Sequence, residues 1–214
     1  MVSNLFRLGS DGIYRCEALQ QFVWLNHGFG TRIANPEVEV TLRQIHSDHV
    51  VNAAGLKNRE CEGDALITNE IAKSIGVRTA DCVPILLVDS RKHVVAAVHA
   101  GWRGTAAAVV KRTVDKMNGD FGTLAADLYA AMGPCIRVCC YEVGPEVATH
   151  FNLTGRCNLD LPDANRRQME TTGLAPDRIF DSGLCSMCHS AQFFSYRREP
   201  ENPGRMVTAV CRLA

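Results

Sequence analysis

Between Thr79 and Thr105 the chain reads TADCVPILLVDSRKHVVAAVHAGWRGT. Two apolar runs, VPILLV and VVAAV, flank the polar residues Asp89, Ser90, Arg91 and Lys92. Apolar runs of this length on either side of a polar turn predict the two strands of a β-hairpin. With a two-residue loop at Ser90 and Arg91, Cys82 lies directly opposite His99. Opposed side chains share a face, with Cβ atoms roughly 5 Å apart. One metal ion, or one proton, fits between a thiolate and an imidazole at that separation.

The flanks strengthen this reading. A lone buried cysteine is ordinarily a small hydrophobe, and a lone buried histidine is often only hydrogen-bonded core. Here Asp81 precedes Cys82 and is a candidate for moving protons on proximity alone. His99 is followed by Gly101, Trp102, Arg103 and Gly104. The glycines allow a sharp turn and close approach of backbone to a ligand. The turn leads toward a helix start, an anion-binding feature, with Arg103 beside it. In LRQIHSDHV, alternation places Leu42, Gln44 and His46 on one face of a strand end, and His49 follows three residues on. Either imidazole could join Cys82 and His99. Two histidines and a cysteine with an open fourth position describe a catalytic zinc site. With a weak axial ligand the same donors describe a copper centre. Spacing does not choose between the metals.

Length and charge narrow the classes. At 214 residues the chain can bury a sizeable core. Its 23 basic and 23 acidic residues balance, which gives a nucleic-acid or acidic-membrane partner no support. The start, MVSNLFRLGSDGIYRCEAL, lacks the pattern of a secretory leader, and no apolar run approaches the roughly 20 residues that span a bilayer. The ten cysteines are then expected as reduced thiols in a cytoplasmic protein. Strands are expected in YRCEAL, QFVWLNHGFGTR, VEVTLRQIHSDHVV, ALIT, LYAAMG, AQFFSYRR and GRMVTAVCRLA. A helical turn is expected in IAKSIGVRT, ending at Gly76. Helices are expected after GWRG, with Thr105 as N-cap and Gly119 near the end, in part of CIRVCCYEVGPEVATHF, and over Asp163 to Gly173. Strands and helices mix without regular βαβ alternation, so the fold class is α+β in a single domain over residues 1–214.

The remaining cysteines read as structural thiols. Cys185 and Cys188 form a single CxxC followed by His189, which is weak evidence for zinc without a second pair. Cys139 and Cys140 are adjacent, so their side chains are expected to diverge; Cys135 lies just upstream. His27, His93 and His150 read as surface or packing residues. No Walker loop, GxGxxG or GxSxG is present.

The motifs GFGTR, LRQIHSDHV, GDALIT, TADCVPILL, AVHAGWRGT, GPCIRVCCYEVG and FFSYRR together resemble the YfiH-type family, also called the laccase-domain or multicopper polyphenol oxidoreductase family. The resemblance runs from about Gly28 to the C-terminus. It implies mixed β-sheets layered with helices, similar in architecture to certain Cys/His toxins that deamidate proteins. It implies that His46, Cys82 and His99 are the metal-binding or catalytic triad, and so selects His46 over His49. It also implies phosphorolysis of adenosine, inosine and methylthioadenosine, with deamination of adenosine and an older attribution of copper-dependent phenol oxidation. One departure stands out. Only IANPEVEVT separates Arg32 from Leu42, where family members carry a longer stretch.

Three activities follow. For purine-nucleoside chemistry, zinc (or copper) at His46, Cys82 and His99 would activate water, and Arg103 with Arg32 or Arg43 would hold phosphate; Gln44 joins these as a substrate-binding candidate. A metal-free alternative is a thiol hydrolase or amidase with Cys82 as nucleophile and His99 as base. A laccase-like polyphenol oxidase is the third, but seven histidines without H-x-H pairs are too few for a full multicopper cluster. The expected partners are a small-molecule nucleoside and phosphate, with no nucleic acid or membrane, and the chain acting as monomer or homodimer.

Overall fold

A computed structural model describes residues 5–201 and 204–214; the leader expectation rests partly on residues 1–4, which lie outside them. In chain order the strands are β1 (Phe6–Leu8), β2 (Tyr14–Cys16), β3 (Leu25–Phe29), β4 (Val50–Asn52), β5 (Ala65–Thr68), β6 (Ser74–Thr79) and β7 (Val83–Asp89). After β8 (Val95–Ala100) come the helices α1 (Trp102–Ala106) and α2 (Val109–Phe121), then β9 (Leu128–Met132) and β10 (Glu142–Val143). The chain continues with α3 (Pro145–Ala148), β11 (Cys157–Asn158), α4 (Leu161–Thr171), β12 (Ile179–Asp181) and β13 (Met206–Arg212). A five-stranded antiparallel sheet has the order β1-β2-β3-β13-β6, and a mixed six-stranded sheet the order β12-β9-β7-β8-β5-β4. Pairing is parallel for β12 with β9 and for β4 with β5. The fold class is α+β, as read from the sequence.

The unbroken apolar runs of the hairpin have a physical cause: both faces of the six-stranded sheet are covered. Val83, Ile85 and Leu87 of β7, with Ala96, Val98 and Ala100 of β8, pack in one core with Val110, Val114 and Met117 of α2. The alternate residues Leu86, Val88, Val95 and Ala97 pack in a second core with Phe29, Ile75 and Val210 of the other sheet. A strand buried on both faces cannot alternate apolar with polar. Leu86 is fully buried, and truncating such a leucine to alanine costs about 2–5 kcal/mol.

Several local expectations need correction. The hairpin turn is longer than two residues: Asp89 N donates to the Val94 carbonyl at 2.8 Å, and His93 N returns to the Asp89 carbonyl at 3.0 Å. Pro84, not Cys82, therefore pairs with His99. The segment IAKSIGVRT forms no helical turn over its second half but the strand β6, held at the end of the five-stranded sheet by pairing with β13. AQFFSYRR is a series of turns, and the chain around LRQIH is irregular, with only isolated bridges such as Arg43 to Glu62. The helix after the hairpin has Gly101 rather than Thr105 as its N-cap and breaks at Ala108, whose φ is +61°. Gly119 is interior to α2, which ends instead at Gly122 in the left-handed conformation. Thr105 faces α4, where its hydroxyl accepts from Asn165 at 3.0 Å.

Candidate active site

Three elements deliver the triad. His99 is the penultimate residue of β8, Cys82 immediately precedes β7, and His46 stands in the irregular segment before β4. Continuing the register by one pair sets Cys82 against Gly101, so Cys82 and His99 are diagonal rather than opposed neighbours on the same face. Gly101 makes room for them. A Cβ at that position would sit 2.9 Å from Cys82 Sγ and 3.2 Å from His46 Cδ2. The ligating atoms of His46, Cys82 and His99 all lie within 4.8 Å of one another, and the two imidazoles meet edge-on with ring centroids 4.9 Å apart. His49 stays outside, its Nδ1 3.0 Å from the Glu62 carbonyl.

Asp64 organises this group, and it was not singled out in the sequence. It is fully buried at the end of the GD that leads into β5. One carboxylate oxygen lies 2.8 Å from His99 Nδ1 and accepts from His46 N at 3.0 Å. The other accepts from Ser47 N at 2.6 Å and Ser47 Oγ at 2.7 Å. These bonds hold His46 in a left-handed backbone conformation with φ +59°. Burial works to raise the Asp64 pKa, but the bonds from His99 and Ser47 outweigh it and leave the carboxyl at about 2. An ionised carboxylate on Nδ1 fixes the His99 tautomer and leaves Nε2 for a metal or a proton, the usual outer partner of a ligating histidine.

The thiol and His99 charge each other. Burial opposes both charged forms, yet the Cys82–His99 attraction prevails, lowering the thiol and raising the imidazole. Without metal, both shifts favour the ion pair of thiolate and imidazolium. The donor set fits a borderline-soft divalent ion: one thiolate and two imidazole nitrogens, with a glycine clearing the approach.

The group opens into a cavity of about 800 Å³. Five arginines line it: Arg59, Arg78, Arg103, Arg197 and Arg205. So do the aromatic side chains of Trp102, Tyr141 and Tyr196. The one acid in the lining, Asp81, is already satisfied, because Ser186 Oγ, Ser195 Oγ and Arg197 N donate to its carboxylate at 2.6, 3.0 and 2.7 Å. Asp81 adjoins Cys82 in sequence but ties three loop donors together; the carboxylate on His99 belongs to Asp64.

The other expected residues divide. Arg103 lines the cavity with its guanidinium 4.4 Å from the Trp102 ring centroid. The helix beginning beside it is a single turn, so cationic side chains rather than a helix dipole carry the cavity's positive charge. Gln44 also lines the cavity, but its amide is committed on both sides to the backbone of Arg78, at 2.8 and 2.9 Å. Arg32 and Arg43 are not in the lining. Arg32 is bonded to the Ser190 carbonyl and Glu199, and Arg43 stands 3.8 Å from Glu62. Of the cavity's arginines only Arg103 was anticipated, because the others come from segments with no motif of their own beyond FFSYRR. The tail cysteines also depart from expectation: Cys139 and Cys140 converge with Cys185 and Cys188, all four sulfurs lying within 4.8 Å of one another.

Known proteins resemble this chain over most of its length. Residues 26–213 match the family model described as multi-copper polyphenol oxidoreductase laccase. A purine nucleoside phosphorylase of Clostridium acetobutylicum is 38% identical over 181 residues, covering 80% of this chain and 75% of that protein. The adenosine deaminase RL5, from an unknown prokaryotic organism, is 41% identical over 193 residues, covering 79% and 73%. The crystal structure of YlmD from Geobacillus stearothermophilus superposes with a TM-score of 0.88 at 25% identity, over 99% of this chain and 100% of that one.

Proposed function

The chain belongs to the multi-copper polyphenol oxidoreductase laccase family, and from that premise we propose that it is a purine-nucleoside enzyme, a phosphorylase with adenosine deaminase activity. The observation that carries the reading is the triad at the floor of a cavity whose charge is supplied by five arginines. Its relatives bear the names of both activities.

Phosphorolysis brings a phosphate dianion to C1′ of the ribose while the purine departs with the bond's electron pair. The arginines supply positive charge for the dianion, in the fork geometry suited to phosphate oxygens. The faces of Trp102, Tyr141 and Tyr196 offer apolar planes for the base. Asp64 on Nδ1 orients His99 so that its Nε2 faces the other two donors. His46, Cys82 and His99 would hold zinc. When bound there, zinc supplies Lewis acidity that brings the pKa of water near neutrality, the requirement for displacing ammonia at C6 of adenine.

A thiol hydrolase is the second reading, favoured by one arrangement: Cys82, His99 and Asp64 stand in the order nucleophile, base and orienting acid. The polyphenol-oxidase reading gains less. Among the described residues only one group of three or more metal donors contains histidine, and it holds two.

Incubation with inosine and phosphate, and separately with adenosine, tests the proposal. Phosphate-dependent release of hypoxanthine, and inosine formation from adenosine, are expected; both should vanish in Cys82→Ala. No turnover of either nucleoside by the folded, zinc-loaded protein would overturn it.

A further inference from the structure

The second cysteine group lies outside the site just described. Its four members come from two turns far apart in sequence, the adjacent pair Cys139–Cys140 and the CxxC of Cys185 and Cys188. We propose that these four residues form a second metal site, a closed four-thiolate site for zinc.

Distances carry the argument. Cys139 and Cys140 Sγ are 3.6 Å apart, Cys139 and Cys188 Sγ 3.8 Å, and Cys140 and Cys188 Sγ 3.4 Å. A zinc–sulfur bond of about 2.3 Å in a tetrahedron places neighbouring sulfurs about 3.8 Å apart. Disulfide sulfurs would be about 2.05 Å apart, and none of the four is so bonded. Thiols are weak hydrogen-bond partners, so four of them gathered at these distances require another cause. Soft thiolates in fourfold array select zinc among the common divalent ions.

The frame holding the turns does not depend on the sulfurs. Cys135 and Cys185 form a parallel bridge, with Cys135 N donating to the Leu184 carbonyl at 3.2 Å and Ser186 N to the Cys135 carbonyl at 2.9 Å. Arg137 clamps Asp181 with two bonds of 2.6 and 2.9 Å. Within the CxxC turn, His189 N donates to the Cys185 carbonyl at 3.0 Å. Arg198 donates to the carbonyls of Ser186 and Met187, both at 3.0 Å, which puts a cation beside a site that would carry two net negative charges. Cys139 and Cys188 are exposed, giving an ion its entry path.

Four protein ligands leave no open position, so the site is structural. It braces one wall of the cavity. Tyr141 follows Cys140 directly, Ile136 lies just upstream, and Ser186 reaches Asp81 from inside the CxxC. This assignment is independent of the reaction at the triad.

The test is metal analysis of the full chain purified after growth in zinc. Wild type should carry two equivalents, and a His46→Ala/Cys82→Ser variant with native circular dichroism should keep one. Cobalt substitution of that variant should give strong thiolate-to-cobalt charge-transfer bands and the visible bands of a tetrahedral four-sulfur site. Cys140→Ser/Cys188→Ser should lose the retained equivalent and melt roughly 5 °C lower or more; if it does not fold, the cobalt spectrum alone decides. A metal-free His46→Ala/Cys82→Ser variant, iron in place of zinc, or a thiol count two short of ten in the wild type would each overturn the proposal.

Discussion

Two groups of metal-type donors stand in this molecule, and they differ in every respect that separates chemistry from bracing. The His46–Cys82–His99 group mixes nitrogen with sulfur, is oriented by a buried carboxylate, and faces a cavity of about 800 Å³. The Cys139–Cys140–Cys185–Cys188 group is all sulfur, sits on two turns with its own backbone frame, and has no position to spare. Three protein donors beside a cavity leave room for a substrate; four leave none. On the two readings proposed above, donor count, more than donor identity, separates a group for turnover from one for stability.

The sharpest test replaces one sulfur in each group. Cys82→Ala should lower nucleoside turnover on the order of 10³-fold while shifting the melting temperature little, whereas Cys188→Ser should do the reverse; assays and melting curves on both variants check this, and equal loss of turnover in both would erase the distinction. Gly101→Ala comes next. Its backbone, at φ −76°, accepts alanine, but the new methyl meets Cys82 Sγ at 2.9 Å. Displacing a reacting group by about an ångström can cost on the order of 10²-fold, so kcat/KM should fall by about that factor with the fold retained. Asp64→Asn keeps the shape of the His99 partner but removes its charge, and should weaken metal affinity or activity by about 10–100-fold. Competitive chelator titration would show it, and an unchanged affinity would make Asp64 a purely structural anchor.

The last effect lies in the other sheet and touches stability alone. Burial, with Arg15 nearby, pushes the His27 pKa down to about 4, and its Nε2 accepts from Cys16 N at 3.0 Å. The unfolded histidine titrates near 6.5. His27 therefore contributes its full stability above pH 6.5 and loses it as pH falls toward 4, by at most roughly 3 kcal/mol. Urea melts between pH 7 and 4 should show this slope, and His27→Gln should flatten it.

The hairpin shows what a sequence reveals and what it withholds. Its two strands follow from burial on both faces, but loop length is set by the Asp89–Val94 and His93–Asp89 bonds, which no apolar pattern encodes. The longer turn moves every cross-strand partner by two residues. A one-residue slip would have turned the side chains to the opposite face; a two-residue slip keeps Cys82 and His99 on the same face and merely makes them diagonal. Their convergence was therefore legible despite the wrong register. His46 was less so, because it rests on a left-handed backbone held by Asp64, and the resemblance rather than strand alternation selected it. Asp64 could have been noticed as the acid of GDALIT. The cysteine cluster was hidden by a rule of thumb: adjacent side chains diverge on a strand, but Cys139 and Cys140 occupy a turn, where their sulfurs come together.

One further feature concerns the order in which the chain is made. In the five-stranded sheet β13 lies between β3 and β6, pairing antiparallel with both. A ribosome releases β1, β2, β3 and β6 long before Met206 emerges, so that sheet exists until then as two separate edges. The six-stranded sheet has all its strands by Asp181 and can form first, with its inner face waiting for a partner. From Asp181 until the final strand is made, the nascent chain thus exposes apolar edges that only that strand closes, the interval in which a chaperone would hold it.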